Sequence, residues 1–174
     1  AVSVTGGGPY CGSTTITASG GAGGTIYFQG TTSGGTSTAD ASTSKIITTS
    51  GTYYFRSQSA SGCWGPEGSV SVTINPLPIV GFSGSTSINI GETTQLSSSS
   101  GGTWISNNTA VATVIEYNGL VTGVSAGTAT FTFTAYYPIC SATTSAVTVN
   151  SSSTTPTVTS FSPASACSGS GTSV

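Results

Sequence analysis

Short runs rich in β-branched and aromatic residues recur along the chain, and clusters of glycine or serine separate them. In the first part of the chain these runs predict strands at 13–19, 25–29, 44–49, 52–57 and 69–74. Short strands at roughly 8–12-residue spacing, with turn residues between them, are typical of a β-sandwich. The pattern therefore predicts an all-β unit in the first part of the chain.

The second part of the chain repeats the same pattern. Its predicted strands are 93–97, 102–105, 110–115, 120–122, 128–135 and 143–149. The run from Thr128 to Thr134 alternates between polar and apolar residues, which indicates a strand with one buried and one solvated face. Asn118 and Gly119 form a dipeptide that favours a tight turn between strands. A second sandwich is therefore expected.

The segment Asn75–Pro76–Leu77–Pro78 separates the two parts. Two prolines at this spacing favour an extended, semi-stiff connector and exclude a central strand. The fold class predicted is all-β, with tandem β-sandwich domains joined by short linkers. We expect domains at 1–76 and 77–150, and at 151–174 a linker with the first strand of a truncated third domain. The chain does not begin with Met, and we interpret it as a piece of a longer protein.

The charged residues are too few for most chemistry. The chain of 174 residues has four acidic side chains, two basic side chains and no histidine, while Ser and Thr make up about 38% of it. Catalysis by acids, bases or activated nucleophiles needs positioned ionisable groups. Nucleic acids and anionic membranes need clustered Lys and Arg. We predict no enzyme, no cofactor, no metal site, no nucleic-acid partner and no membrane insertion.

Three segments resemble known families. The runs 90–96, 104–114 and 119–129, which read IGETTQL, WISNNTAVATV and GLVTGVSAGTA, resemble bacterial Ig-like domains of group 2. The runs 9–12, 24–30 and 61–65 are similar to the Ig-like repeats of giant secreted Bacteroidota proteins. The run 158–163 resembles the start of an IPT/TIG-type Ig-like domain. Both sandwiches are therefore expected to be Ig-like.

The resemblance implies an extracellular, cell-surface location and a structural role. We expect a non-catalytic stalk segment of a large adhesin or filament, of the type exported by the type IX secretion system and used in gliding or attachment. Its partners would be neighbouring Ig-like modules of the same chain, and possible further copies in a fibre or surface complex. Two alternatives stay open: a carbohydrate- or surface-binding module, and a subunit of a self-associating extracellular fibre.

The four cysteines fit a secreted protein better than a zinc site, because none has CxxC spacing and histidine is absent. Cys11 and Cys63 bracket the first unit, and we predict a disulfide between them. Cys140 occupies the position in the second unit that corresponds to Cys63, but it lacks an obvious partner. A bond to Cys167, a free thiol and a bond to another chain all stay open for Cys140. Cys167 is expected to find its partner beyond Val174.

Three aromatic residues are candidates for surface contacts. Trp64 and the pair Tyr136–Tyr137 are predicted in the last hairpin loop of their units. In an Ig-like sandwich this loop lies at the N-terminal end and faces the preceding module. These side chains are therefore expected either to pack between modules or to form a platform for a sugar or another surface. Trp104 lies within a predicted strand and is expected in the core.

Overall fold

The fold is all-β, as predicted, and consists of two β-sandwiches in tandem. A computed structural model describes residues 1–151, which contain 17 strands. This range has no helix, and therefore none that is long and apolar enough to cross a membrane. The predicted start of a third domain lies outside the described residues, apart from its first residue, Ser151.

The first sandwich, unit 1, has two sheets with strand orders β1-β3-β5 and β2-β7-β6-β4. Its strands are β1 (Val2–Thr5), β2 (Gly8–Cys11), β3 (Thr14–Gly20), β4 (Thr25–Phe28), β5 (Ser44–Ile47), β6 (Gly51–Gln58) and β7 (Gly68–Asn75). The five strands that the sequence pattern predicts here are confirmed within two residues at each end. The pattern misses β1 and β2.

The first two strands form one stretch of chain that passes from the first sheet to the second at Gly6 and Gly7. A Cβ on Gly6 would lie 2.6 Å from the carbonyl oxygen of Thr15, so the crossing requires glycine. β2 then runs parallel to β7, with Cys11 opposite Asn75. The end of β2 therefore lies at the end of β7, where the chain leaves unit 1.

The second sandwich, unit 2, has three sheets with strand orders β12-β13-β10-β8, β11-β15-β16 and β14-β17-β9. Its strands are β8 (Val80–Phe82), β9 (Ser87–Asn89), β10 (Thr93–Ser98), β11 (Gly102–Ser106), β12 (Ala112–Val114), β13 (Leu120–Gly123), β14 (Gly127–Ala129), β15 (Phe131–Ala135), β16 (Ser141–Thr143) and β17 (Val147–Asn150). All the predicted regions contain strands, while β8 and β9 are missed.

The last hairpin of unit 2 is long and interrupted in both arms. β15 pairs antiparallel with β16, and β14 pairs antiparallel with β17. β14 and β15 therefore form one arm of the hairpin, and β16 and β17 form the other. The sequence pattern predicts each arm as one strand. The interruption occurs where the Thr144 side chain is buried and its Oγ1 accepts a hydrogen bond from the Phe131 amide at 3.2 Å. A side chain thus replaces a regular ladder partner at this point.

Each sandwich has its own hydrophobic core. In unit 1 the core is built from Val2, Ile16, Ala18, Ile26, Ile47, Tyr53, Phe55 and Val72. In unit 2 it is built from Ile88, Leu96, Trp104, Ala112, Val121, Ala129, Phe131, Phe133, Ala135, Val147 and Val149. Trp104 is 4% exposed and packs on Phe133 with the ring centroids 4.8 Å apart, which confirms its predicted place in the core.

The outer faces of the sheets are joined by hydroxyl groups rather than by charges. Thr132 bonds Thr143 at 3.1 Å, and Thr134 bonds Ser141 at 2.9 Å, each across neighbouring strands. The single ion pair within residues 1–151 joins Asp40 and Lys45. Cross-strand hydroxyl pairs stabilise a sheet in the same way as other matched pairs. They therefore take the place of ion pairs on the outer faces of this weakly charged chain.

Candidate functional site

The junction between the two units is held by a disulfide bond between Cys11 and Cys140. Cys11 lies at the end of β2, and Cys140 lies in the last hairpin loop of unit 2, directly before β16. Cys140 is 2% exposed. The bond therefore joins the end of unit 1 to the loop of unit 2 that faces it. Together with the chain from Cys11 to Cys140, it closes a covalent ring that includes most of both sandwiches.

This pairing corrects the predicted Cys11–Cys63 disulfide. Cys63 lies in the β6–β7 hairpin, before β7 begins at Gly68, whereas Cys11 lies beside Asn75 at the other end of β7. Eight strand residues at ~3.3 Å each separate the two ends by roughly 25 Å. A disulfide joins Cα atoms no more than about 7 Å apart, so unit 1 holds these two cysteines too far apart to bond.

The pairing also corrects the alternatives for Cys140. It is not a free thiol, and its bond is to Cys11 rather than to Cys167 or to another chain. Cys63 is exposed and has no cysteine partner within the described part of the chain. The prediction for Cys167 lies outside the described residues.

The proline-containing linker is fixed to both units. The Gly12 amide donates to the Asn75 carbonyl at 2.9 Å, and the Leu77 side chain lies against the open face of Gly12. On the other side, the Ile79 amide donates to Ser99 Oγ at 3.0 Å, and the Ser99 amide donates to the Ile79 carbonyl at 2.9 Å. The linker is therefore a bonded part of the junction.

An open groove of about 510 Å³ lies beside the disulfide, which we call the junction groove. It is lined by Pro9, Tyr10, Cys11, Thr73, Asn75, Tyr137, Pro138 and Ile139. Its walls combine two tyrosine rings, prolines, a hydroxyl and an amide, without an acidic or basic side chain. The groove joins residues that are more than 120 positions apart in sequence, so no local motif indicates it.

The two adjacent tyrosines of the unit 2 hairpin have different surroundings. Tyr137 lines the junction groove and is 92% exposed. Tyr136 is 58% exposed, and its amide donates to the Gly101 carbonyl at 3.0 Å while its ring lies beside that glycine. The hairpin thus lies at the junction, as expected for this loop. Tyr137 is the ring that faces solvent there.

Trp64 lies away from the junction, at the opposite end of unit 1. Its ring packs edge-on against Tyr27 with centroids 5.6 Å apart, and the Arg56 guanidinium lies 5.5 Å from the ring centre. The ring also lines a second open pocket, of about 210 Å³, together with Ala1 and Cys63. Trp64 and Tyr137 therefore belong to different surfaces, and the fold does not bring the three candidate aromatics together.

The same arginine helps to fix the long loop between β4 and β5. Arg56 donates to the carbonyls of Gly34 and Gly35 at 3.2 Å. Glu67 accepts bonds from the Gly34 amide at 2.7 Å and the Ser33 hydroxyl at 2.8 Å. The Gly34 bond, followed by the Ser33 bond, lowers the pKa of Glu67 below its ordinary value of 4.5. Both ionised groups thus hold a loop in place.

Glu92, like Glu67, accepts hydrogen bonds from its own loop. Within residues 1–151, no three His, Cys, Asp or Glu side chains converge to hold a metal ion. Glu92 has a lowered pKa because it accepts bonds from Asn89, chiefly from its amide at 2.9 Å, and this closes the turn before β10. The carboxylates of Glu67 and Glu92 thus accept hydrogen bonds that hold loops in place. The junction instead offers a groove with exposed aromatic side chains.

One family model matches part of the chain. Residues 70–137 match the bacterial Ig-like domain (group 2), from β7 into the last hairpin of unit 2. No curated protein sequence matches the chain significantly. The match includes the last strand of unit 1 and most of unit 2, so unit 2 is the part of the chain that is similar to this family.

The solved structures that the chain matches share little sequence identity with it. The C-terminal 282-residue fragment of intimin, solved with the intimin-binding domain of the translocated intimin receptor, is 17% identical with a TM-score of 0.43. A SusE-like surface-located polysaccharide-binding protein from the Bacteroides thetaiotaomicron heparin utilisation locus is 13% identical with a TM-score of 0.45. Each match covers 86% of this chain, which spans 64% and 34% of those structures respectively.

Proposed function

We propose that the chain is a structural stalk segment of a large extracellular surface protein, with no catalytic role. The observation that carries this proposal is the Cys11–Cys140 bond, which joins successive sandwiches beside a linker that is itself hydrogen-bonded to both. Domain pairs connected only by a flexible linker move relative to each other by default. A covalent bond plus a proline linker at one junction favours a stiff rod, which is what a stalk requires.

The proposal also covers where the protein is located and which type of surface protein it belongs to. A disulfide between distant parts of the chain persists in oxidising compartments, so we place the protein outside the cell. We further propose that residues 1–76 and 77–150 are successive modules of an adhesin-type protein, with a third beginning after 151. Export by type IX secretion and a part in gliding or attachment are the finer form of this proposal.

Residual dipolar couplings on the full chain test the stiffness. In the oxidised protein, we expect one alignment tensor to fit the amides of both units. A matched pair of variants separates the bond from other effects: Cys11→Ser removes the bond, while Cys63→Ser changes an exposed cysteine and leaves the bond intact. Two independent tensors of unequal magnitude in the oxidised protein would contradict the stalk proposal.

The junction groove supports a second candidate function, the binding of a neutral glycan or surface. Tyr137 is 92% exposed and shares the groove with Tyr10, while Thr73 and Asn75 supply hydroxyl and amide groups. Exposed tyrosines with nearby polar groups suit uncharged sugars, because no charged side chain would leave an unpaired ion behind. A fibre subunit is less favoured, since Cys140 is bonded within the chain and does not cross-link copies.

Glycan binding is tested by titrating uncharged oligosaccharides into the wild type and two tyrosine variants. Under the binding hypothesis, Tyr137→Ala loses the interaction. Tyr117→Ala is the matched control, because Tyr117 is 71% exposed but lies outside the junction groove. Absence of binding by the wild type, or equal loss in both variants, counts against the groove as the site.

A further inference from the structure

The disulfide lies between two stretches of chain, one in each unit, that would carry tension through a stalk. In unit 1, β1 and β2 lead directly from the start of the chain to Cys11. In passing from Val2 to Cys11, this stretch meets Gly68 first and Asn75 last, so it runs alongside β7 from one end to the other. The first eleven residues therefore cross unit 1 in a single pass.

Unit 2 has the mirror arrangement after the bridge. β16 and β17 lead from Cys140 to Asn150, pairing first with β15 and then with β14. This stretch also continues in one direction and ends where the chain leaves unit 2. The last eleven residues from Cys140 to Asn150 thus cross unit 2 in a single pass.

The two stretches and the bridge make one continuous covalent line through both units. β1 and β2 supply eight of the first 11 residues, and β16 and β17 supply seven of the last 11. Strand residues rise ~3.3 Å each, so each stretch spans at most roughly 36 Å when folded. The fully extended limit is only about 3.6 Å per residue. The strands of this line are therefore almost fully extended already, and tension applied to the two ends can lengthen them by only about a tenth.

We propose that Cys11–Cys140 is a load-bearing bridge that carries tension past the bodies of both sandwiches. This inference rests on the proposed stalk function and adds how the stalk bears force. Tension enters through β1 and β2, crosses the disulfide and leaves through β16 and β17. Residues 12–139, which contain most of both cores, lie off the tension path. Their unfolding would not lengthen the molecule while the bridge is intact.

Single-molecule stretching of the full chain, held at its two termini, tests the bridge. The two cysteines are separated by 129 positions, which correspond to at most about 460 Å of chain at ~3.6 Å per residue. We expect oxidised molecules to show no unfolding steps from this length. After a reducing agent is added, the steps should together approach it, less the folded length of the units.

Variants make the result specific to one pair of cysteines. In a Cys167→Ser background, Cys63→Ser should behave like the parent, whereas Cys11→Ser should give the long steps without reductant. A bond between Cys11 and Cys63 would hide only about 190 Å at ~3.6 Å per residue, so the extension itself identifies the pairing. Peptide mass mapping of the same sample supplies an independent assignment.

Two results would overturn the inference. One is an oxidised chain that extends as far as the reduced chain. The other is an extension that matches the Cys11–Cys63 loop. The stalk proposal fails in a different way: two independent alignment tensors, with the long steps still absent in oxidised molecules, would refute the stiff rod and leave the load-bearing bridge in place.

Discussion

Removing the Cys11–Cys140 bond should lower the stability of both sandwiches, not only the one that contains a given cysteine. If unit 1 unfolds while unit 2 stays folded, the chain between Cys11 and the linker becomes a closed loop of about 65 residues. The same holds for unit 2 between the linker and Cys140. On the chain-entropy model, a loop of this size stabilises the folded state by roughly 4 kcal/mol.

The two contributions are not additive, because one bond closes both loops. When both units are unfolded, a single loop with its cysteines 129 positions apart remains, and the same model gives about 5 kcal/mol in total. Nearly all of the penalty therefore falls on whichever unit unfolds first. Species with one unit unfolded are disfavoured, so the oxidised protein should unfold in a single transition.

Urea unfolding with one fluorescent probe in each unit measures this. Trp64 belongs to unit 1 and Trp104 to unit 2, so Trp64→Phe and Trp104→Phe leave one reporter each. In the oxidised protein both reporters should give the same midpoint. Without the bond, about 2.5 kcal/mol is lost per unit, and at slopes near 1 kcal/mol per molar urea each midpoint falls by roughly 2.5 M. The slope of each transition should also fall, since each unit then unfolds alone.

The control variant Cys63→Ser should leave the midpoint and the slope unchanged. A bond confined to unit 1 would stabilise the Trp64 reporter alone and leave the Trp104 reporter unaffected by reduction. That result, or two separate transitions in the oxidised protein, would refute the reasoning from a shared ring.

Three further changes test individual contacts. In the Cys11→Ser background, where the two units unfold separately, Phe55→Ala removes a fully buried ring and should cost unit 1 about 3–5 kcal/mol in urea unfolding, with little effect on the unit 2 reporter. Gly102→Ala would place a Cβ 2.2 Å from the Thr134 carbonyl oxygen, so we expect a lower unit 2 midpoint, and an unchanged one would contradict the packing of β11 on β15. Because the pKa of Glu67 is lowered, its stabilising effect is complete well above pH 4.5 and disappears as the pH falls through the lower folded-state value. Glu67→Gln should remove this part of the acid dependence, measured as unit 1 midpoints from pH 6 to pH 3, and an unaltered dependence would count against the bond to Gly34.

The sequence pattern misses four strands, β1, β2, β8 and β9, none of which is longer than four residues. β2 consists of four residues, Gly8 to Cys11, and includes a proline, so it has too little periodicity to be recognised. Its strand character comes from parallel pairing with β7, which is distant in sequence.

That single omission explains the error in the disulfide. With β2 placed beside β7, Cys11 lies where the chain leaves unit 1, and the last hairpin loop of unit 2 faces the same point. Without β2, Cys11 and Cys63 simply bracket unit 1 in sequence. The junction groove is hidden for the same reason, because Tyr10 belongs to the missed strand and Tyr137 to the next unit.

The hydroxyl pairs on the outer sheet faces determine how the protein responds to salt. Dissolved ions weaken the attraction between exposed charges, and at 0.15 M salt the screening length is about 8 Å. Within residues 1–151 the Asp40–Lys45 contact is the one ion pair that salt can weaken, whereas the bonds between Thr134 and Ser141 or Thr132 and Thr143 join neutral groups. The outer faces should therefore keep the same strength in fresh water and in brine.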